Sequence, residues 1–336
     1  MSGGVLVRFV ALALTGLFAG CGERELERGL GFKDGDRIVF IGDSLTHSGA
    51  YPRLLETYCH RTYPERRLFF RNAGVRGDRV GDVLARYDAD IASFDADHAF
   101  VLMGMNDGGM RGFDEKLFGR FTAGMGALLD RLEGQGVEVI LVSPTLFDVA
   151  QSRRATAEAG DEWDAKADDY DRVLRRYGEW LREKSRERGY RYVDVHGPLA
   201  ETTVLGREGD ELFSLTEDGV HLTLAGDEIL VRSLLERLEE ADVVEEGIWE
   251  GDVAEMNAAR YEEAVRPARA GWYEVKAKRY EFEGDEGAFE EWFARNVTGL
   301  RATERYAEEL EAEIYETLRR EKAGLELPEG DESGSN

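Results

Sequence analysis

The sequence predicts an α/β fold in which a mostly parallel, five-stranded sheet carries helices on both faces, followed by a helical C-terminal extension. Short apolar runs of strand length alternate with longer segments in which apolar residues recur at helical spacing. From about residue 241 onward the chain is acidic and helical in pattern, without strand-like alternation. Repeated alternation of strand and helix favours parallel pairing, because each parallel pair needs a crossover connection.

Five apolar runs predict the strands, and they lie at residues 37–41, 68–70, 99–103, 137–142 and 192–195. Between and after them, three segments place apolar residues on one helical face. These residues are Leu117, Phe121, Met125, Leu128, Leu129 and Leu132; Tyr170, Val173, Leu174, Tyr177 and Leu181; and Leu230, Leu234, Leu235 and Leu238. Parallel strands collect their functional loops at their carboxyl ends, so the site is expected there.

The overall charge limits the partners. The 336 residues include 43 Lys and Arg against 69 Asp and Glu, which gives a net charge of −26. A phosphate backbone or an anionic lipid surface would be repelled by most of this exterior. We therefore expect no nucleic-acid partner.

The N-terminal stretch "MSGGVLVRFVALALTGLFAGCGERE" has the layout of a secretory signal. It has one early Arg, an apolar segment over 9–18 that is short for a membrane span, and small residues before Cys21. The ending "FAGC" resembles a bacterial lipobox, in which the cysteine becomes the lipid-bearing first residue. The alternatives are a plain signal peptide cut near Ala19 and an ordinary apolar helix. We expect the protein to be exported. It is then periplasmic, secreted, or an outer-membrane lipoprotein attached to the membrane through lipidated Cys21.

Cysteine usage excludes two kinds of structural cross-link. If Cys21 is removed or lipidated, Cys59 is the only remaining thiol, so the mature chain holds no disulfide. Neither cysteine has a partner at metal-ligand spacing, and we expect no structural zinc.

The composition divides the chain into five parts. The signal or lipobox covers 1–21, a polar linker 22–35, the α/β domain 36–240, the helical extension 241–327 and a disordered tail 328–336. The aromatic residues of the extension are expected to pack on the α/β domain rather than to bind sugar. These residues are Tyr261, Trp272, Tyr273, Tyr280, Trp292 and Phe293.

Four short clusters contain residues of catalytic type. They are "GDSLT" around Ser44, "NAGVRGDR" ending near Gly77, "GMND" around Asn106, and "DGVHL" with Asp218 and His221. Taken alone, each cluster also fits an ordinary turn. Each one falls at the end of a predicted strand or just before the last helix of the α/β domain.

Together these residues can form an acyl-transfer site. A serine hydrolase needs a base for the hydroxyl proton, an acid that orients the base, and donors for the developing oxyanion. His221 can be the base for Ser44, and Asp218 can accept the Nδ1 hydrogen of the same imidazole. The backbone N–H groups of Ser44 and Gly77 and the side-chain amide of Asn106 can serve as the oxyanion donors.

The four blocks, in this order, resemble the SGNH hydrolases, also called GDSL esterases and lipases, over roughly residues 36–238. The resemblance implies a flavodoxin-like three-layer α/β/α sandwich and a serine esterase without metal or cofactor. It also implies Ser44 as nucleophile, Gly77 and Asn106 as oxyanion donors, and Asp218 with His221 as the rest of the triad. Gly74 lies in the same block, but Gly77, which is followed by Asp78, fits the oxyanion glycine better.

The expected function is hydrolysis of short acyl esters, acetyl above all, of carbohydrates through an acyl-enzyme. The segment at Arg266 and Pro267 and the Tyr-rich helices after it are similar to an extension of SGNH proteins in bacteria rich in exported polysaccharide-degrading enzymes. This likeness suggests a carbohydrate ester, such as an acetylated polysaccharide. The expected partner is therefore a small-molecule or polysaccharide ester substrate. The alternatives are a lysophospholipase or arylesterase of the same family, and a carbohydrate-binding SGNH domain without catalysis. No oligomeric state is predicted.

Overall fold

A computed structural model describes residues 30–239 and 247–323. The predicted signal segment with Cys21, the linker before residue 30 and the tail after residue 323 lie outside these ranges. Within the two ranges, no helix is both long enough and apolar enough to cross a membrane.

The sheet contains the five predicted strands, and its order is β2-β1-β3-β4-β5. They are β1 (Arg37–Gly42), β2 (Phe69–Gly74), β3 (His98–Leu102), β4 (Glu138–Val142) and β5 (Arg191–Val193). All four pairings between these strands are parallel. The order reverses at β1, and α/β sheets bind ligands at the carboxyl end of such a switch point. The predicted fold class is confirmed, with a parallel sheet in place of the mostly parallel one.

Eight helices accompany the sheet in the described part of the α/β domain. They are α1 (Ser44–Ser48), α2 (Ala50–Thr62), α3 (Val80–Arg86), α4 (Glu115–Gly134), α5 (Val149–Glu158), α6 (Tyr170–Arg188), α7 (His196–Gly209) and α8 (Leu224–Glu239). The extension forms α9 (Asp252–Arg260), a π-helical turn (Tyr261–Val265), α10 (Arg266–Glu281) and α11 (Glu286–Lys322). A second π-helical turn (Tyr87–Ile91) follows α3.

Helices cover both faces of the sheet, as a three-layer sandwich requires. Successive residues of β1 point to opposite faces: Ile38 and Phe40 join one buried cluster, and Val39 and Ile41 join the other. The predicted face of α6 is buried in the second cluster, and so is that of α4 except for Leu117, which is partly exposed. The two apolar layers hold β1 in the centre of the molecule, with its carboxyl end free to carry the site.

The C-terminal extension covers the outer edge of the sheet, where β2 lies. The backbone N–H of Phe70 donates to Glu311 Oε2 at 3.1 Å, and that of Leu68 donates to Tyr315 Oη at 2.9 Å. Arg260 donates to the carbonyl oxygen of Phe70 at 3.2 Å. An uncovered edge strand invites pairing with other chains. Side chains of α9 and α11 therefore bond backbone groups of β2 that a sixth strand would otherwise pair.

Buried ion pairs fix the extension to the α/β domain. Arg260 contacts Glu56 at 2.8 Å and Glu311 at 3.4 Å, and all three side chains are at most 1% exposed. Arg269 of α10 makes two 3.0 Å hydrogen bonds to the carboxylate of Asp90. Buried charged side chains thus hold the extension against the α/β domain.

The packing predicted for the aromatic residues of the extension is confirmed for some and wrong for others. Trp272 is completely buried and Tyr261 is 5% exposed. Trp292 and Phe293 are partly buried against Trp272 and its neighbours. Tyr273 and Tyr280 are 47% and 58% exposed, so neither is packed as predicted, although the hydroxyl group of Tyr280 donates to Asp82 Oδ1 of the α/β domain at 2.5 Å.

Candidate active site

Ser44 lies where the central strand β1 turns into α1. A Cβ at Gly42 would lie 1.9 Å from Thr46 Oγ1, so the turn needs glycine at this position. Asp43 caps α1, since its Oδ1 accepts a hydrogen bond from the N–H of Leu45 at 3.1 Å. The Asp43 carboxylate thus stabilises the turn, and Ser44 lies at the carboxyl end of the sheet.

The carboxyl group of Asp43 is itself completely buried. Burial raises its pKa to about 7, and the nearby Asp107 and Asp78 add to this shift. Asp107, which accepts a hydrogen bond from the N–H of Val80 at 3.0 Å, is also buried, and burial raises its pKa to about 6. The carboxyl groups of Asp43, next to Ser44, and of Asp107 therefore change charge close to neutral pH.

Asp218 and His221 form a hydrogen-bonded pair on the segment that precedes α8. Asp218 Oδ2 accepts a hydrogen bond from His221 Nδ1 at 2.7 Å. The other oxygen, Oδ1, accepts from the backbone N–H of Val220 at 2.9 Å and of His221 at 2.8 Å. Thr216 and Leu222 pair as an antiparallel bridge that closes this loop. With Nδ1 bonded to the carboxylate, Nε2 is left to exchange a proton.

Ser44, Asp218 and His221 line one cleft of about 530 Å³. The rest of its lining is mixed: His47, Ser48, Arg76, Glu217 and Asp227 are polar, and Leu45, Ala50, Leu222 and Leu224 are apolar. No hydrogen bond joins the hydroxyl of Ser44 to the His221 ring in the described chain, and such contacts commonly tighten only when substrate binds. The structure thus places the predicted nucleophile, base and orienting acid around a single space.

Gly77 and Asn106 line a second hollow of about 440 Å³. It adjoins the first, since Arg76 lines one and Gly77, the next residue, lines the other. Asn106 Nδ2 donates to the carbonyl oxygen of Asp78 at 3.1 Å, which leaves the second hydrogen of the amide for another acceptor.

The alternative oxyanion donor, Gly74, already uses its N–H in the fold. That group donates to Asn72 Oδ1 at 2.9 Å. A Cβ at Gly74 would lie 2.3 Å from the backbone nitrogen of His47, so close packing against α1 accounts for this glycine. Gly77, with φ at +70°, remains the predicted donor.

Three residues near these hollows were not found by motif reading. Asp227 lines the cleft, and burial raises its pKa to about 8, which keeps its carboxyl group protonated at neutral pH. In the sequence it resembles any acidic residue in the first turn of a helix. Lys276 and Tyr280 reach the second hollow from α10, and no local pattern connects them with residues about 200 positions earlier.

The hydrogen-bonded pair shifts the pKa values of His221 and Asp218 in opposite directions. The hydrogen bond that His221 Nδ1 donates to Asp218 raises the pKa of the imidazole above its usual value, although partial burial acts in the opposite direction. Burial also acts to raise the pKa of Asp218, but the hydrogen bonds from His221 outweigh it and hold that pKa well below the usual range. The Asp218 carboxylate therefore stays ionised over the pH range in which the His221 imidazole titrates.

This pair predicts the acid limb of the pH profile. Only the neutral imidazole can accept a proton, so kcat/KM should rise with pH through a pKa above that of an ordinary histidine. Asp218→Asn removes the main cause of the shift, and the limb should move to lower pH. The variant should also lose roughly 10⁴-fold in kcat, because the imidazole loses its orienting acceptor.

The measurement is kcat/KM for p-nitrophenyl acetate between pH 4 and 9, with Glu217→Gln as the matched control. Glu217 lines the same cleft but its carboxylate does not bond the imidazole. The limb of the control should stay in place. A limb that stayed in place in Asp218→Asn as well would contradict the assignment of His221.

Comparison with known proteins places this site in a family. Residues 40–229 match the GDSL-like lipase/acylhydrolase family, and the chain belongs to that family. An acetylxylan esterase from Geobacillus stearothermophilus is 24% identical over 219 residues, which is 61% of this chain and 94% of the relative. The protein is accordingly a carboxylic ester hydrolase, as its sequence motifs predicted.

Solved structures share the fold. A variant of the acetyl xylan esterase from Geobacillus stearothermophilus superposes with a TM-score of 0.51 at 22% identity and covers 63% of this chain and 99% of its own. A gut microbial diltiazem-metabolizing enzyme gives a TM-score of 0.54 at 22% identity over 62% of this chain. The match covers 47% of that enzyme, so this chain spans about half of its length.

Proposed function

We propose that the protein is a serine esterase that removes short acyl groups, acetyl above all, from carbohydrate, using Ser44, His221 and Asp218. The observation that carries this proposal is the Asp218–His221 hydrogen bond of 2.7 Å, made by two residues that share one cleft with Ser44. Membership of an ester hydrolase family supplies the reaction class.

The first half of the reaction forms an acyl-enzyme. His221 Nε2 takes the hydroxyl proton while Ser44 Oγ attacks the acyl carbon, and the carbonyl electrons move onto oxygen. The N–H groups of Ser44 and Gly77 and the amide of Asn106 stabilise that oxyanion. When the oxyanion collapses, the bond to the sugar oxygen breaks, and His221 gives this oxygen the proton.

The second half regenerates the enzyme. A water molecule loses a proton to His221 and attacks the acyl carbon, and the new oxyanion uses the same donors. Collapse breaks the bond to Ser44 Oγ, which recovers its proton from His221. Asp218 stays ionised throughout and stabilises the imidazolium that forms in each half.

The lining of the cleft favours a sugar ester over a long-chain lipid. Arg76, Glu217 and Asp227 give the cleft charged and hydrogen-bonding groups that suit hydroxyl-rich substrates. The relative that matches over 94% of its own length is an acetylxylan esterase, which supports an acetylated saccharide as substrate. The predicted signal segment at the N-terminus, which ends at Cys21, supports action outside the cytoplasm.

Two substrate series test the proposal. Acetate release from acetylated xylo-oligosaccharides should be readily measurable, and kcat/KM on p-nitrophenyl esters should fall as the acyl chain grows from acetyl to laurate. A preference for long acyl chains would contradict the proposal and favour a lysophospholipase. A fluorophosphonate probe should give a covalent adduct on Ser44 by peptide mass spectrometry, and absence of the adduct would favour a binding protein.

A further inference from the structure

We propose that Lys276, on α10 of the C-terminal extension, is a positioning residue that orients the Gly77 N–H as an oxyanion donor. The inference rests on the function proposed above. Lys276 Nζ donates a hydrogen bond to the carbonyl oxygen of Arg76 at 3.1 Å and contacts Asp78 Oδ1 at 3.0 Å. The lysine thus bridges the two residues that flank Gly77.

The contact with Arg76 acts directly on the predicted donor. The carbonyl of Arg76 and the N–H of Gly77 belong to the same peptide group, which is planar and trans, so the two bonds point in opposite directions. Fixing the oxygen therefore fixes the direction of the N–H. A cation on the carbonyl oxygen also polarises the peptide group and strengthens its N–H as a donor.

The turn needs such an anchor because it is exposed and glycine-based. Arg76 and Gly77 are both exposed, and Gly77 has φ at +70°, a region that glycine enters and leaves at little cost. The internal hydrogen bond of the turn joins the N–H of Asp78 to the carbonyl oxygen of Val75 at 3.1 Å. That bond closes the turn without holding the peptide group between Arg76 and Gly77.

The charged contacts around Asp78 are sheltered from water. The Asp78 side chain is completely buried, and that of Lys276 is 14% exposed. Arg86 occupies the other carboxylate oxygen of Asp78 at 2.9 Å, so the carboxylate is held between two cations. The attraction between the two charges is screened less by solvent in such surroundings than on the surface.

The packing of α10 places Lys276 at the turn. Trp272 and Val275 are buried in one cluster with Val75, the residue immediately before the turn. Trp272 lies one helical turn before Lys276, so both side chains are on the same face of α10. The double hydrogen bond from Arg269 to Asp90 fixes the preceding part of the helix. The extension thereby contributes to the geometry of the site.

The test is Lys276→Met, which keeps most of the apolar stem of the side chain and removes the donor and charge. We expect kcat for p-nitrophenyl acetate to fall roughly 10- to 100-fold, somewhat less than after loss of an oxyanion donor, with KM changed less than about threefold. Lys278→Met is the matched control, because Lys278 pairs with Glu281 on its own helix at 2.7 Å. Its kcat should stay at the wild-type value, and Lys276→Arg should recover most of the lost activity.

A sulfur-containing substrate distinguishes an oxyanion effect from a general loss of structure. In p-nitrophenyl thionoacetate the charge develops on sulfur, which accepts hydrogen bonds poorly, so this substrate gains little from the donors. Lys276→Met should therefore lower kcat/KM for the ester about tenfold more than that for the thionoester. An equal loss on both substrates, or a change in KM alone, would overturn the role of Lys276.

The same assays keep this inference separate from the proposed function. An enzyme that needs Ser44 but is indifferent to Lys276→Met would overturn the role of Lys276 alone. Full turnover by Ser44→Ala would overturn the proposed function and, with it, this inference. If Lys276→Met does not fold, Lys276→Arg is the deciding variant. A kcat near that of the wild type, with an unchanged ratio of kcat/KM for the ester to kcat/KM for the thionoester, supports the role. A changed ratio at full activity contradicts it.

Discussion

Ser44→Ala is expected to lower kcat/KM for p-nitrophenyl acetate on the order of 10⁴- to 10⁶-fold, because it deletes the oxygen that forms the acyl-enzyme. The oxyanion donors and the cleft stay in place, so a small residual rate above that of water should persist. Ser44 is 8% exposed and alanine fits its position, so the thermal stability should change little. Initial rates and the loss of the fluorophosphonate adduct measure the effect.

Ser48→Ala is the matched control for this experiment. Ser48 lines the same cleft on the same short helix, and its hydroxyl group donates to the carbonyl oxygen of Leu45 at 2.7 Å. The control should keep both the adduct and substantial turnover. A Ser44→Ala enzyme within tenfold of wild type would rule out Ser44 as the nucleophile.

Arg260→Met is expected to destabilise the fold by about 3–5 kcal/mol, the usual cost of removing one member of a buried ionic cluster. The substitution leaves Glu56 and Glu311 buried without their cation and removes the donor to the carbonyl oxygen of Phe70. Burial already raises the pKa of Glu56, and Arg260 opposes that shift. Urea unfolding followed by circular dichroism gives the change in the free energy of unfolding.

Arg266→Met provides the comparison, because Arg266 makes an exposed pair with Glu262 within the extension. Pairs of this kind contribute about 0.2–1 kcal/mol. If the two variants proved equally stable, the buried cluster would not hold the extension in place. Adding Glu56→Gln to Arg260→Met should recover part of the loss, since one buried carboxylate is then neutral.

The local apolar pattern predicts the position of each strand but not the full length of β2. The prediction for β2 ended at Phe70, whereas the strand continues to Gly74 through Arg71 and Asn72. Both polar side chains find partners in the folded chain: Arg71 meets Glu308 at 3.2 Å, and Asn72 donates to the carbonyl oxygen of Thr46 at 2.6 Å. An apolar run predicts a strand whose neighbours are apolar layers. It misses one whose outer neighbour is a charged helix about 230 positions later.

The candidate site divides in the same way. Ser44, Gly77, Asn106, Asp218 and His221 were predictable because each lies in a short motif at a strand end or before a helix. Their catalytic roles remain predictions that the variants above will test. Lys276 was not predictable, because its partners become visible only when α10 packs against Val75. Short motifs therefore predict the residues with catalytic chemistry, whereas a distant supporting residue such as Lys276 is found only from the packing of the folded chain.

The covering of β2 by α11 has a consequence for biosynthesis. Phe70 and its acceptor Glu311 are 241 residues apart in the chain. At roughly 5–20 residues per second, ribosomes make Phe70 about 10 to 50 s before Glu311. During that interval the nascent polypeptide exposes a strand with unpaired backbone groups, the kind of surface that chaperones shield. We expect the newly made protein to reach its native state only after translation is complete.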